Sequence, residues 1–326
     1  SLRPRRAAPS PRADPWADPS EPAARRAVML AGMTIAEMEP PALPGVTHEH
    51  VDIPGVRVHV ALAGAAAAPP VVLLHGWPQH WWCWRHVIPA LAAAHRVVAP
   101  DLRGFGWSSA PRSGYDKEQL ATDLLALMDA LGIARAGLVG HDWGGWAGFL
   151  ACLRAPDRFE AFLALSIPPP FHRVPRRAYL HAWRLGYQVV LSTPGAGTAL
   201  LRTQPELVAR MLGGGATERA NLTDAACALY ARRLTAPDRA RASALLYRTF
   251  LTRELPALAR GRYDDARLRV PTLLLTGADD PAVRPVMLAG AERAAGTLRT
   301  RVIAGCGHFL PEERPDLVVA AARELF

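Results

Sequence analysis

The sequence predicts an α/β protein, a mostly parallel, doubly wound sheet with a helical segment inserted before its last strands. Three observations point there. Short, continuously apolar runs alternate with amphipathic stretches, as buried parallel strands joined by helices do. The runs "PPVVLLHG" (69–76), "ARAGLVGH" (134–141) and "VPTLLLTG" (270–277) carry a glycine at or beside their ends, where the chain must turn tightly. Finally, roughly 90 residues between "SIPPP" (166–170) and "RLRVPTLLL" (267–275) show helical patterns and no strand-like run.

The elements follow in order. Residues 1 to 45 are rich in Pro, Ala and Arg, lack periodicity and read as a disordered tail. Met29 and Met33 in it are candidate start residues, and "AVMLAGM" is too short an apolar run for a signal peptide. "HEHVDI" and "VRVHVAL" alternate like a half-buried hairpin with "PG" at the turn. His48 and His50 share one face of the first strand, but no further ligand follows at metal spacing, so no metal site is expected. "PPVVLLHG" and "RVVAPDLRG" are buried strands, with "HVIPALAAAH" helical between them. "KEQLATDLLALMDALGI" has apolar residues three and four apart, an amphipathic helix. "ARAGLVGH" is a strand, "GGWAGFLACLRA" a helix and "FEAFLALSI" a strand. After the long gap, "VPTLLLTG" and "LRTRVIAG" are strands and "DLVVAAARELF" closes the chain as a helix. The expected organisation is a core of 46–167 and 257–326 with a helical cap over 168–256. Ligands in such sheets sit beyond the carboxyl ends of the strands, so the cap would roof the site.

Bulk properties narrow the function. Half of the 326 residues are hydrophobic and 21% are charged, a soluble globular composition. The net charge of +9 is almost all arginine, scattered without a run of five, which argues against nucleic acid. No apolar run reaches 18 residues, so no membrane span is expected. Cys83, Cys152, Cys227 and Cys306 are far apart and read as reduced core thiols of a cytoplasmic protein.

Four short stretches carry chemistry. "LVGHDWGGW" (138–146) reads as a sharp strand-to-helix turn that lifts Asp142 beside the backbone N–H of Trp143. An Asp there could also be a plain helix cap. "HGWPQ" (75–79) ends another strand, where the backbone N–H of Trp77 is the candidate second oxyanion donor. "LLLTGADDPAVRP" (273–285) presents Asp279 and Asp280 at a strand end, and "AGCGHFLPEERP" (304–315) places His308 in a glycine-flanked loop. Nucleophile, acid, histidine is the chain order used by α/β-hydrolases.

From about residue 47 to its end, the chain resembles an α/β-hydrolase. "HGWPQ", "DLRGFGWS" (101–108) and "GHDWGG" together are similar to the epoxide hydrolase branch, the relatives of soluble epoxide hydrolase. The resemblance implies that Asp280, not Asp279, partners His308. It also implies two ring-opening tyrosines: Tyr187 in "GYQVVLSTPG" (186–195) and Tyr247 in "ALLYRTF" (244–250), where Leu246 stands in place of a common tryptophan. The implied reaction opens an epoxide to a vicinal diol. A carboxylate suits it because an epoxide offers a saturated carbon and no carbonyl. Asp142 would form an alkyl ester, Tyr187 and Tyr247 would protonate the leaving alkoxide, and water activated by His308 and Asp280 would cleave the ester. No cofactor or metal is expected. The partners are an apolar small-molecule epoxide and water, with a homodimer left open and detoxification one role among several. The alternatives are a haloalkane dehalogenase with the same nucleophile and a non-catalytic ligand-binding protein on this scaffold.

Overall fold

A computed structural model describes residues 38–326, except the side chains of residues 179, 181, 182 and 184. The tail expected over 1–45 therefore lies outside the described residues up to residue 37, as do Met29 and Met33. The stretch after it packs: Met38 is buried, and its carbonyl accepts the Trp107 indole N–H at 2.7 Å.

Eight strands form one sheet in the order β1-β2-β4-β3-β5-β6-β7-β8. They are β1 (Val46–Ile53), β2 (Val56–Ala63), β3 (Pro70–Leu74), β4 (Arg96–Pro100), β5 (Ala136–His141), β6 (Phe159–Leu165), β7 (Thr272–Gly277) and β8 (Leu298–Ile303). β1 and β2 make the antiparallel hairpin, in a register that pairs His50 with His59, and β2 runs antiparallel to β4. All other pairings are parallel. On that hairpin the His48 Nδ1 sits 3.1 Å from His59 Nε2, and His59 Nδ1 is 2.7 Å from the buried Asp101 carboxylate. These imidazoles are committed to one another and to Asp101.

Strand alternation sorts the core into two layers. Val72, Leu74, Val98, Leu138, Phe162 and Leu274 pack on one face, with helices α2 (Lys117–Ala130) and α3 (Asp142–Arg154). Val71, Leu73, Val97, Val139, Leu163 and Leu273 point the other way, onto α1 (Ile88–Ala92) and the C-terminal helix. Phe149 of α3 meets Phe162 of β6 edge to face at 4.9 Å. Truncating such a buried phenylalanine to alanine costs about 3–5 kcal/mol.

The chain leaves β3 for β4 on one side and returns to β5 on the other. β3 and β5 are thus neighbours whose carboxyl ends open at the point where strand order reverses. A crevice at that point is the usual ligand site of an open α/β sheet. Between β6 and β7 the structure is helical. After a 3-10 stretch (Arg176–Leu185) come α4 (Gly186–Ser192), α5 (Ala196–Thr203), α6 (Pro205–Gly215), α7 (Asp224–Arg233), α8 (Pro237–Thr249), a π-helical turn (Phe250–Glu254) and α9 (Leu255–Ala259). The chain then closes with β7, α10 (Ala291–Ala294), β8, α11 (Leu310–Glu313) and α12 (Pro315–Leu325). None of the described helices is long and apolar enough to cross a membrane.

Candidate active site

β5 is buried at every residue and ends directly in α3, whose first residue is Asp142. To make that step Asp142 adopts φ +50°, a left-handed conformation costly for a side chain with a Cβ. Glycines give the turn its room. A Cβ on Gly76 would sit 2.4 Å from the Cβ of Asp142, and one on Gly144 would sit 2.4 Å from the His75 carbonyl oxygen. Both contacts are closer than any real Cβ tolerates, so strand, turn and helix can meet only with glycine at these points.

The Asp142 carboxylate is held by backbone N–H groups. The Trp77 backbone N–H donates to Oδ2 at 2.9 Å, and the Trp143 N–H supports the same carboxylate. Oδ1 remains open and lies 3.9 Å from His308 Nε2, near but not hydrogen-bonded. Trp77 is itself braced: its indole N–H donates to Ser243 Oγ on α8 at 3.2 Å, and the Trp77–Pro78 peptide is cis.

His308 is fixed at both ends. Its Nδ1 meets Asp280 Oδ2 at 2.8 Å, so Nδ1 carries a proton and Nε2 faces Asp142. Asp280 is fully buried, and its other oxygen accepts the N–H groups of Ala282 (2.7 Å) and Val283 (2.8 Å). Asp279, one residue earlier, is exposed. The His308 backbone N–H donates to the Gly215 carbonyl at 2.8 Å, and its carbonyl lies 2.9 Å from His141 Nε2.

These surroundings set the charges. Burial raises the Asp142 pKa to about 6, against the pull of His308 and of the Trp143 and Trp77 N–H groups. Burial would lower His308, but Asp280, by charge and hydrogen bond, and Asp142 outweigh it and lift the pKa to about 9. These shifts favour a protonated His308 beside the Asp142 carboxylate at neutral pH.

Tyr187 and Tyr247 come from α4 and α8, 60 residues apart by number, yet their rings are 5.8 Å apart and nearly perpendicular. Trp77 stacks on Tyr187 at 5.9 Å and meets Tyr247 edge-on at 5.2 Å; Trp143 meets Tyr247 at 5.8 Å. Burial, then the Asp142 charge, pushes Tyr187 up to about 12. Tyr247 is raised well above the ordinary phenol value, first by burial and then by the neighbouring Tyr187 and Asp142. Both stay protonated at any working pH. A cavity of about 290 Å³ lies in front of Asp142 and His308. The helical segment walls it with Tyr187, Met211 and Leu212, and the core with Trp77, Pro281 and Phe309. Tyr187 lines it directly, whereas Tyr247 stands in contact with Tyr187 and is not itself a lining residue. Among the described residues no cluster of three or more His, Cys, Asp or Glu could hold a metal ion.

Two groups of supporting residues are absent from the sequence reading. Glu313 accepts four backbone N–H groups: Gly307 (2.8 Å), Thr217 (2.8 Å) and Glu218 (3.0 Å) on one oxygen, and Phe309 (2.9 Å) on the other. The buried Glu312 pairs with Arg85 at 2.6 Å and accepts from Tyr230 at 2.5 Å and Gln79 at 3.3 Å, joining the Trp77 loop, α7 and the His308 loop. The only hint in the sequence is two adjacent acids inside the otherwise apolar "HFLPEERP".

The chain matches the family described as alpha/beta hydrolase fold over residues 69–315. It is 32% identical over 296 residues to the soluble epoxide hydrolase of Corynebacterium sp. (strain C12), covering 86% of this chain and 97% of that one. It is 33% identical over 312 residues to epoxide hydrolase A of Mycobacterium tuberculosis (strain ATCC 25618 / H37Rv), covering 85% and 96%. Its fold is similar to the ligand-free structure of the epoxide hydrolase CorEH, with a TM-score of 0.75 at 30% identity over 86% of this chain and 98% of that chain. With these relatives spanning almost their whole length, the chain belongs to the α/β-hydrolase family and, within it, to the epoxide hydrolases.

Proposed function

We propose that the protein hydrolyses an epoxide to a vicinal diol through an ester of Asp142. The observation that carries this reading is the division of labour in one carboxylate: Oδ2 is held by the Trp77 N–H at 2.9 Å while Oδ1 stays open beside His308. Oδ1 attacks a ring carbon, the C–O bond of the epoxide breaks, and the leaving oxygen takes a proton from the tyrosine pair. Tyr187 is the donor that faces the cavity, with Tyr247 in ring contact beside it to share the charge. Phenols kept neutral by burial suit an alkoxide leaving group.

Esterification then changes the base. The Asp142 charge is one of the influences that hold the His308 pKa near 9. Once that carboxylate is an ester the charge is gone and the imidazolium gives up its proton more readily. Neutral His308, oriented by Asp280, takes a proton from water, and the hydroxide adds to the ester carbonyl. The carbonyl oxygen is Oδ2, already in place before the Trp77 N–H, with the Trp143 N–H beside the same group, each such donor being worth about 2.7–4 kcal/mol to the transition state. The proton given up by the imidazolium returns to the tyrosinate; collapse expels the second diol oxygen, which takes the remaining proton of the attacking water, and leaves Asp142 ionised with His308 protonated as at the start. The residues 168–256 act in this reading as a cap on a core of 46–167 and 257–326.

The test pairs turnover with trapping. Diol formation is assayed on aryl and alkyl epoxides, with halide release from matched haloalkanes alongside. His308→Gln is then examined by intact mass, where it should carry one substrate adduct without turning over. Halide without diol, or no adduct on the variant, would remove the basis of the reading.

A further inference from the structure

Lys117 is the only lysine in the chain, and it is fully buried at the first position of α2. A cation is electrostatically disfavoured at a helix N-terminus, and a lysine is rarely buried at all. Its ammonium is nonetheless saturated. Nζ donates to Glu254 Oε2 at 2.8 Å and to the Leu246 carbonyl at 3.0 Å, and lies over the Trp143 ring at 4.3 Å and near Phe250 at 5.1 Å. Glu254 also accepts the Lys117 backbone N–H at 2.8 Å, so one carboxylate of the π-helical turn fixes both ends of the residue. The Leu246 carbonyl is the peptide that leads into Tyr247, and Trp143 follows Asp142 and touches the Tyr247 ring.

We propose that Lys117 is a positioning residue for ring opening: its ammonium ties the Tyr247 peptide and the Trp143 indole to the core beside the nucleophile. This rests on the reading of Tyr247 as part of the proton-donating pair. Stability alone does not explain the arrangement. A buried ion pair contributes little compared with apolar groups of the same size, because both charges must be desolvated. The geometry does explain it, since the one ammonium satisfies a carboxylate, a carbonyl and an aromatic face at once and so links three elements around the nucleophile. The Trp143 backbone N–H is fixed by the turn into α3 whatever fills the place of Lys117. The second chemical step should thus be untouched.

The experiment follows adduct formation with styrene oxide by intact mass in the His308→Gln background, alone and with Lys117→Met. A third protein, Lys117→Met with Glu254→Leu, replaces the whole pair and keeps the test open if the single change does not fold. The expected result is adduct formation slowed about tenfold, in the range of a misplaced catalytic group, with the thermal midpoint of the pair variant held or raised. With His308 intact, ester hydrolysis keeps its rate. Adduct formation at the parent rate in either folded variant overturns the proposal. If the parent His308→Gln forms no adduct, the ester reading itself has failed, and this inference falls with it.

Discussion

Replacing Glu313 by glutamine should loosen the His308 loop without touching any group that meets substrate. The side chain is 2% exposed, and its two oxygens together take four backbone N–H groups, two of them flanking His308 at Gly307 and Phe309. The amide keeps only one oxygen. If that oxygen stays on Gly307, Thr217 and Glu218, the NH₂ group must face the Phe309 N–H, donor against donor. An orphaned buried N–H costs about 1–3 kcal/mol. The three surviving bonds also lose their charge assistance, and such bonds are roughly half as strong. The expected loss is about 3 kcal/mol, read from the urea midpoint at unchanged slope. Glu313→Ala orphans all four donors and should lose more. Asp280 still holds His308 at 2.8 Å, so kcat should fall by only about tenfold and KM little. A glutamine variant that loses less than about 1 kcal/mol would show that the four contacts do not restrain the loop, and the reasoning would be wrong.

Tyr187→Phe and Tyr247→Phe should each slow single-turnover ester formation by about 10- to 100-fold and the double variant by more, within the range of general acid catalysis; a double variant that opens epoxides at the native rate would assign the proton to another group. On the proposed mechanism Asp142 attacks only when ionised, so kcat/KM for ring opening should rise with pH through about 6 and then level, and a flat profile from pH 5 to 7 would contradict that. His308 has a folded pKa of about 9 against 6.5 for the free side chain, so the stability it lends is complete below pH 6.5 and lost as pH rises through 9. The loss, up to about 3 kcal/mol, should appear as a falling thermal midpoint that His308→Gln flattens; the same slope in both proteins would exclude His308 as its source. Gly144→Ala would press a Cβ to 2.4 Å from the His75 carbonyl oxygen, and it should leave no active, folded enzyme in a soluble-expression and circular-dichroism assay.

The legible parts of this molecule are those where physics acts over a few neighbouring residues. β3, β5 and β7 are largely apolar and almost wholly buried because both faces are covered, and that needs no knowledge of what covers them. The turn at Asp142 could be read because close packing leaves only glycine as a choice around it. Tyr187 and Tyr247 were reachable only through resemblance, since nothing local distinguishes a tyrosine near an active site from one packed in a core. Glu313, Glu312 and Lys117 were not reachable, because each has a partner far along the chain, 95, 233 and 137 residues away, that is brought to it only in three dimensions. An isolated buried charge looks like an ordinary surface charge until the fold supplies its counterpart. Lys117 did leave one trace, a lone lysine at a helix start in a chain that otherwise uses arginine.

The Trp77–Asp142 hydrogen bond spans 65 residues of chain, the His141–His308 contact 167, and the Gly215 carbonyl meets the His308 N–H from across the helical segment. Such closures come late in folding, after the local helices and neighbouring strands have formed. Until they form, Asp142 is a solvated carboxylate of ordinary acidity, with no donors on Oδ2 and no imidazole beside Oδ1. In a nascent or unfolding chain this position is thus no more reactive toward electrophiles than any exposed aspartate. On the proposed ester mechanism, the same long closures that make the site slow to assemble would keep Asp142 from being alkylated before there is a base in place to clear the ester.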